Sequence, residues 1–142
     1  RTAVPRADVH LHGSAARLRI REASELMYRS RLCLVPDGDQ PNTERLVEAV
    51  AHGCVPVVIS SRWVPPFRRL IRWRRCAIFV REEDVQWLPE LLDELESQPE
   101  LLREMHGRLE ILSHALVHGG VVQQSLGYPA FLMAELLHRR EE

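Results

Sequence analysis

LCLVPDGDQPNTERLVEAVAHGCVPVVI, residues 32–59, reads as strand, loop, helix and strand in succession. Leu32-Cys33-Leu34-Val35 is a short apolar run halted by Pro36. Cys54-Val55-Pro56-Val57-Val58-Ile59 is a continuous one, as expected of a strand that a parallel sheet covers on both faces. Pro56 donates no ladder hydrogen bond, which argues for a strand start or an edge strand. Between the runs, Gly38 and Pro41 stand among Asp37, Asp39 and Asn42, which is loop chemistry, and Asn42 or Thr43 offers a helix cap. Leu46, Val47, Val50 and Ala51 then form the apolar stripe of a helix that Gly53 ends.

The alternation continues on both sides of this unit. Ala23, Leu26 and Met27 share one helical face over residues 22–30, leading into the first strand. Pro65-Pro66-Phe67 opens a turn or short helix through Trp73, and Cys76 to Val80 is a third strand. Helices are expected over Val85 to Glu96, from Pro99 to about Leu116, and around Pro129 to Arg140 after the Gly119-Gly120 break. Residues 1–20 read as the remnant of a preceding segment or linker, and 21–142 as one domain. Strands alternating with helices pair in parallel through right-handed crossovers, so the fold class is α/β, a Rossmann-like three-layer α/β/α half-domain. In such sheets ligands sit beyond the carboxyl ends of the strands.

A chain of 142 residues supports one core and too little for two ordinary domains. The formal net charge of −1 gives no field for nucleic acid, so no nucleic-acid partner is expected. Arg62, Arg68, Arg69, Arg72, Arg74 and Arg75 nevertheless crowd one stretch, readable as a phosphate or acidic-sugar contact or as a solvated rim. No apolar run is long enough to cross a bilayer, so the chain itself is expected to be soluble, with any anchor upstream of Arg1 in a longer product. Cys33, Cys54 and Cys76 read as small core residues outside a disulfide framework, and one bridge between neighbouring strands stays open.

The loop feeding the central helix carries the candidate chemistry. A helix start presents unpaired N–H groups and a positive dipole end to a phosphate. Gly38 allows close backbone approach, Asn42 and Thr43 offer donors, Arg45 supplies charge for a diphosphate, and Glu48 accepts ribose hydroxyls. The alternative is a plain cap at Asn42 or Thr43 with Glu44, Arg45 and Glu48 on an exposed helix face. Trp63, in a loop between Arg62 and two prolines, is the aromatic best placed to stack on a sugar or base, while Phe67 and Trp73 also suit a core. Glu82-Glu83-Asp84 is either near the cleft or a helix-start acidic cluster. Asp8-Val9-His10-Leu11-His12 matches the D-x-H-x-H of a metal hydrolase strand, but two histidines are not a metal site, and no metal is expected.

The ordered series Met27-Tyr28-x-Ser30-x-Leu32-Cys33-Leu34-Val35-Pro36-x-Gly38, Arg45-Leu46-x-Glu48-Ala49, Gly53-Cys54-x-Pro56-Val57, Pro66-Phe67 and Ile71-x-Trp73 resembles the C-terminal part of the exostosin family. The resemblance implies the donor-binding half of a GT-B fold in an inverting glycosyltransferase. Its donor would be a UDP-sugar and its acceptor a glycan, with no tightly bound cofactor. By position, Arg45 and Glu48 match the family's phosphate and ribose contacts, and Gly38, Thr43 and Gly53 its loop and turn positions. It implies an N-terminal acceptor domain outside this chain and a Golgi membrane enzyme facing the lumen. Two other readings stand beside it: a non-catalytic module with the same fold, and a retaining GT-B enzyme, disfavoured because Gln40 stands where a second glutamate is usual.

Overall fold

A computed structural model describes residues 20–37 and 44–116. Residues 1–19 of the expected 1–20 segment, the loop from Gly38 to Thr43 and the helix around Pro129 lie outside them. Among the described residues the elements follow in the order α1 (Ile20–Arg29), β1 (Leu32–Pro36), α2 (Glu44–Ala51), β2 (Val55–Ile59), a 3-10 turn at Trp73–Arg75, β3 (Ile78–Val80), a 3-10 segment at Glu82–Trp87, α3 (Leu88–Glu96) and α4 (Pro99–Leu116). The strands form a parallel sheet in the order β1-β2-β3. The α/β class expected from the alternation is therefore the observed one.

β2 is the central strand, not the edge that Pro56 suggested, and the ladder explains why. Val55 N–H donates to Arg31 C=O and Ile59 C=O accepts from Asp37 N–H, so the odd residues of β2 face β1. Pro56 faces β3, whose pairing begins one residue later at Val57↔Ile78, so the ladder asks no donor of it. Pro36 is tolerated on the same logic, because the residues of β1 that bond β2 are its neighbours Val35 and Asp37. All of Val55 to Val58 are buried, as a two-faced strand requires.

α2 and α4 pack against β2 and against each other. α2 buries Leu46, Ala49 and Val50, whereas Val47, expected in the stripe, is 53% exposed. Ala49 takes its place because the buried arc is i, i+3, i+4 from Leu46. Gly53 ends the helix at φ +67 with space around its α-carbon, so backbone conformation alone calls for glycine there. α4 buries Leu102, Met105, Leu109 and Leu112, while Leu101 turns outward. The helix expected from Val85 divides at Leu88, where Pro89 suits the first turn of a new α-helix.

The stretch between β2 and β3 is pinned from inside. Phe67 holds a positive φ of 51, its carbonyl accepting from Leu70 and Ile71 N–H. Trp73 is buried, and its indole N–H donates to Pro66 C=O at 2.6 Å. Both aromatics therefore belong to the core.

The open question about a bridge between strands is resolved. Cys33 of β1 and Cys54, just before β2, form a disulfide with α-carbons 5.7 Å apart. Cys76 is a buried free thiol, and burial pushes its pKa up. We expect the unreduced, denatured chain to titrate with one thiol and the native chain with far less than one. Three accessible thiols without reductant would contradict the pairing.

Candidate functional site

The carboxyl ends of the strands lie in register, Pro36 beside Ile59 and Ile59 beside Val80. The residue that follows each strand continues the ladder: Asp37 N–H donates to Ile59 C=O at 2.9 Å and Ser60 N–H to Val80 C=O at 3.0 Å. Asp37 and Ser60 are thereby fixed side by side at this edge. Ser60 Oγ donates to Asp37 Oδ2 at 2.9 Å and accepts the N–H groups of Trp63 at 2.9 Å and Arg62 at 3.2 Å. This uses the hydroxyl's one proton and both lone pairs. The hydroxyl thus ties the loop after β2 back onto the strand ends.

Arg62 reaches the same Asp37 oxygen at 3.9 Å, but its side chain is 82% exposed, so the pair contributes little to stability. Trp63 stacks on Phe79 of β3 with ring centroids 6.0 Å apart. One face of the indole is therefore occupied within the fold. Val35, Pro36, Asp37, Val58, Ser60 and Trp63 line a dimple here that is too tight to enclose a water molecule.

The acidic cluster after β3 is bound up in local contacts. Ser61 Oγ donates to Glu83 Oε2 at 2.8 Å and accepts from Glu82 N–H at 3.1 Å. Arg81 pairs with Asp84 at 2.8 Å and Glu83 at 3.2 Å. Its own backbone N–H, the Ser61 hydroxyl and Arg81 hold the Glu83 carboxyl below its usual range.

Of the five candidate ligand residues, Gly38, Asn42 and Thr43 lie outside the described residues. Arg45 and Glu48 stand on the exposed side of α2. The helix runs antiparallel to the strands it connects, so its start faces the carboxyl edge where Asp37 and Ser60 lie. The Glu48 carbonyl, by contrast, serves the fold: His52 Nδ1 donates to it at 2.7 Å, leaving Nε2 to accept from Ser24 Oγ at 2.7 Å and tie α2 to α1. The clustered arginines divide. Arg62 reaches the carboxyl edge, whereas Arg72, Arg74 and Arg75 precede β3 at the opposite one.

Asp37 and Ser60 were not singled out in the sequence, where Asp37 reads as loop chemistry. The available signal was position, since the first residue after a parallel strand is where such sheets place ligand contacts. Among the described residues no group of His, Cys, Asp and Glu suits a metal ion, and His10 and His12 lie outside them. No helix among them is long and apolar enough to cross a membrane.

The exostosin GT47 domain profile matches residues 2–95. The chain is 46% identical over 71 residues to an exostosin-1 homolog of Caenorhabditis elegans, covering 50% of this chain and 19% of that protein. It is 36% identical over 91 residues to a probable glycosyltransferase of Arabidopsis thaliana, covering 64% of this chain and 17% of the other. A probable glucuronosyltransferase of Oryza sativa subsp. japonica is 48% identical over 68 residues, covering 48% and 16%. The matched stretch thus spans less than a fifth of these relatives. Together with the parallel sheet and its ordered strand-loop-helix series, the match shows that this chain belongs to the exostosin GT47 family of glycosyltransferases.

Proposed function

We propose that this chain is the UDP-sugar-binding part of an inverting glycosyltransferase, the C-terminal Rossmann-like half of a GT-B fold. Its acceptor would be a glycan held by an N-terminal domain. The observation that carries the reading is the state of Arg45 and Glu48: both are exposed on the helix that starts at the carboxyl edge. Neither side chain has a hydrogen bond or ion pair among the described residues. A cation and a carboxylate one turn apart, without such partners among the described residues, suit a diphosphate and a ribose. Gly38, Asn42 and Thr43 would supply backbone and side-chain donors ahead of them.

In this scheme Arg45 neutralises the charge that develops on the departing diphosphate, the electrostatic part of the catalysis. The base that takes the acceptor proton comes from the acceptor domain. Relatives named as probable glucuronosyltransferases make UDP-glucuronate the first donor to test. A disulfide between β1 and the start of β2 supports an oxidising compartment, consistent with a Golgi enzyme whose domain faces the lumen.

Calorimetric titration of the chain with UDP and UDP-glucuronate tests this. Saturable binding is expected, weakened about tenfold or more by Glu48→Ala, since a charged hydrogen bond contributes about 1.5–3 kcal/mol. The same substitution should leave stability within about 0.5 kcal/mol, because the side chain is on the surface. Folded protein that ignores UDP would overturn the reading and favour a non-catalytic module.

A further inference from the structure

The formal net charge of −1 conceals a segregation along the chain. Residues 62–81 hold seven arginines and no acidic residue, whereas residues 82–102 hold eight acidic residues and no basic one. The fold neutralises only part of this. Arg81 pairs with Glu83 and Asp84, but Arg72, Arg75, Glu90 and Glu94 are exposed and make no ion pair among the described residues. Each stretch also presents apolar surface. At the amino edge of the sheet a groove of about 230 Å³ opens between α4 and the chain that enters β3. Leu70, Ile71 and Leu112 give it apolar walls, with Ile111, 73% exposed, beside them. Arg108 is already engaged, pairing with Glu104 and donating to Arg75 C=O at 3.2 Å, so Arg72 and Arg75 are the groove's cations left to a partner.

Apolar walls under a guanidinium rim match an apolar anchor flanked by carboxylates. A glycan or a nucleic acid would meet the arginines but leave the leucine and isoleucine walls unmatched, so a protein surface fits better. This chain carries such a surface itself. Trp87 is 61% exposed at the start of α3, and Glu90 and Glu94 follow three and seven residues later, on the same side of the helix. The indole does not line the groove of its own chain, which leaves both surfaces open to other copies. We propose that the groove takes the Trp87–Glu94 face of a second copy, the indole against Leu70, Ile71 and Ile111 and the carboxylates of Glu90 and Glu94 against Arg72 and Arg75. The contact joins two different surfaces and is therefore heterologous, a head-to-tail association. The buried indole supplies most of the affinity, and the charges supply the selectivity and the salt dependence. The groove lies at the edge opposite Asp37 and Ser60, so the association does not depend on the nucleotide-binding reading.

Sedimentation of the full chain over a range of concentrations, at about 0.05 M and about 0.5 M salt, reads the association. The mean mass should rise above that of one chain with concentration, and rise less at the higher salt. Trp87→Ala should weaken association about tenfold or more, the loss expected of a buried aromatic anchor. Arg72→Glu/Arg75→Glu and Glu90→Lys/Glu94→Lys should each sediment as single chains, because like charges then face each other across the contact. Mixed in equal amounts, the two variants should associate again, since each then meets the opposite charge on the other. Melting temperatures unchanged from wild type, as expected at exposed positions, establish that the variants are folded. Wild type that stays a single chain at every concentration overturns the proposal. Association that survives either charge reversal overturns it as well, as do two single-chain variants that fail to associate on mixing.

Discussion

Leu109→Ala is expected to lower stability by about 3–4 kcal/mol, read as a shifted denaturation midpoint with an unchanged slope. Leu109 is fully buried in the middle of α4, which packs on both α2 and β2. Its removal leaves a cavity at the junction of two helices and the sheet, where none of the three can close in without losing contact with another. Against a typical domain stability of about 5–15 kcal/mol, the loss is a large fraction of the whole. The neighbouring Ile111, 73% exposed, provides the control, since its change to alanine should stay within about 0.5 kcal/mol. Equal effects at the two positions would mean that α4 is not seated as described.

Breaking the Cys33–Cys54 bridge is expected to cost nearly as much, about 3 kcal/mol for a sequence separation of 21 residues. The loss should appear on adding reductant to the native protein and in the Cys33→Ala/Cys54→Ala double variant. In the chain-entropy account the bridge acts mainly on the unfolded ensemble, so the folded sheet should persist in both cases. Guanidinium unfolding with and without reductant measures it. No difference between the two curves would show that the bridge does not form.

The sheet was legible in the sequence because its strands are apolar runs bounded by loop residues, and its helices carry a stripe with a glycine or proline at an end. What escaped was whatever depends on register. Pro56 argues for an edge in isolation, and only the late start of β3 reveals why a central strand accepts it. Cys33 and Cys54 are remote in sequence, and their bridge follows from how β1 and β2 align, which spacing does not state. Val47 and Ala49 exchanged places because the burial arc of a helix that touches both a sheet and another helix is fixed by those neighbours. At the candidate site, the structure shows Arg45 and Glu48 only as exposed residues of α2. Asp37 and Ser60 came into view only when the ladder aligned the strand ends.

Gly38, Asn42, Thr43, Arg45 and Glu48 all fall between the two half-cystines. The bridge therefore makes this stretch a covalent ring, and a single cut inside it leaves both pieces joined. A protease nick at residues 38–43 should yield a two-piece chain that migrates as one until reduced. The same closure tolerates changes in ring size, because doubling such a loop adds only about 0.6 kcal/mol of closure entropy. The segment that carries the candidate ligand contacts can thus lengthen or shorten among related chains while the two strands that frame it stay fastened.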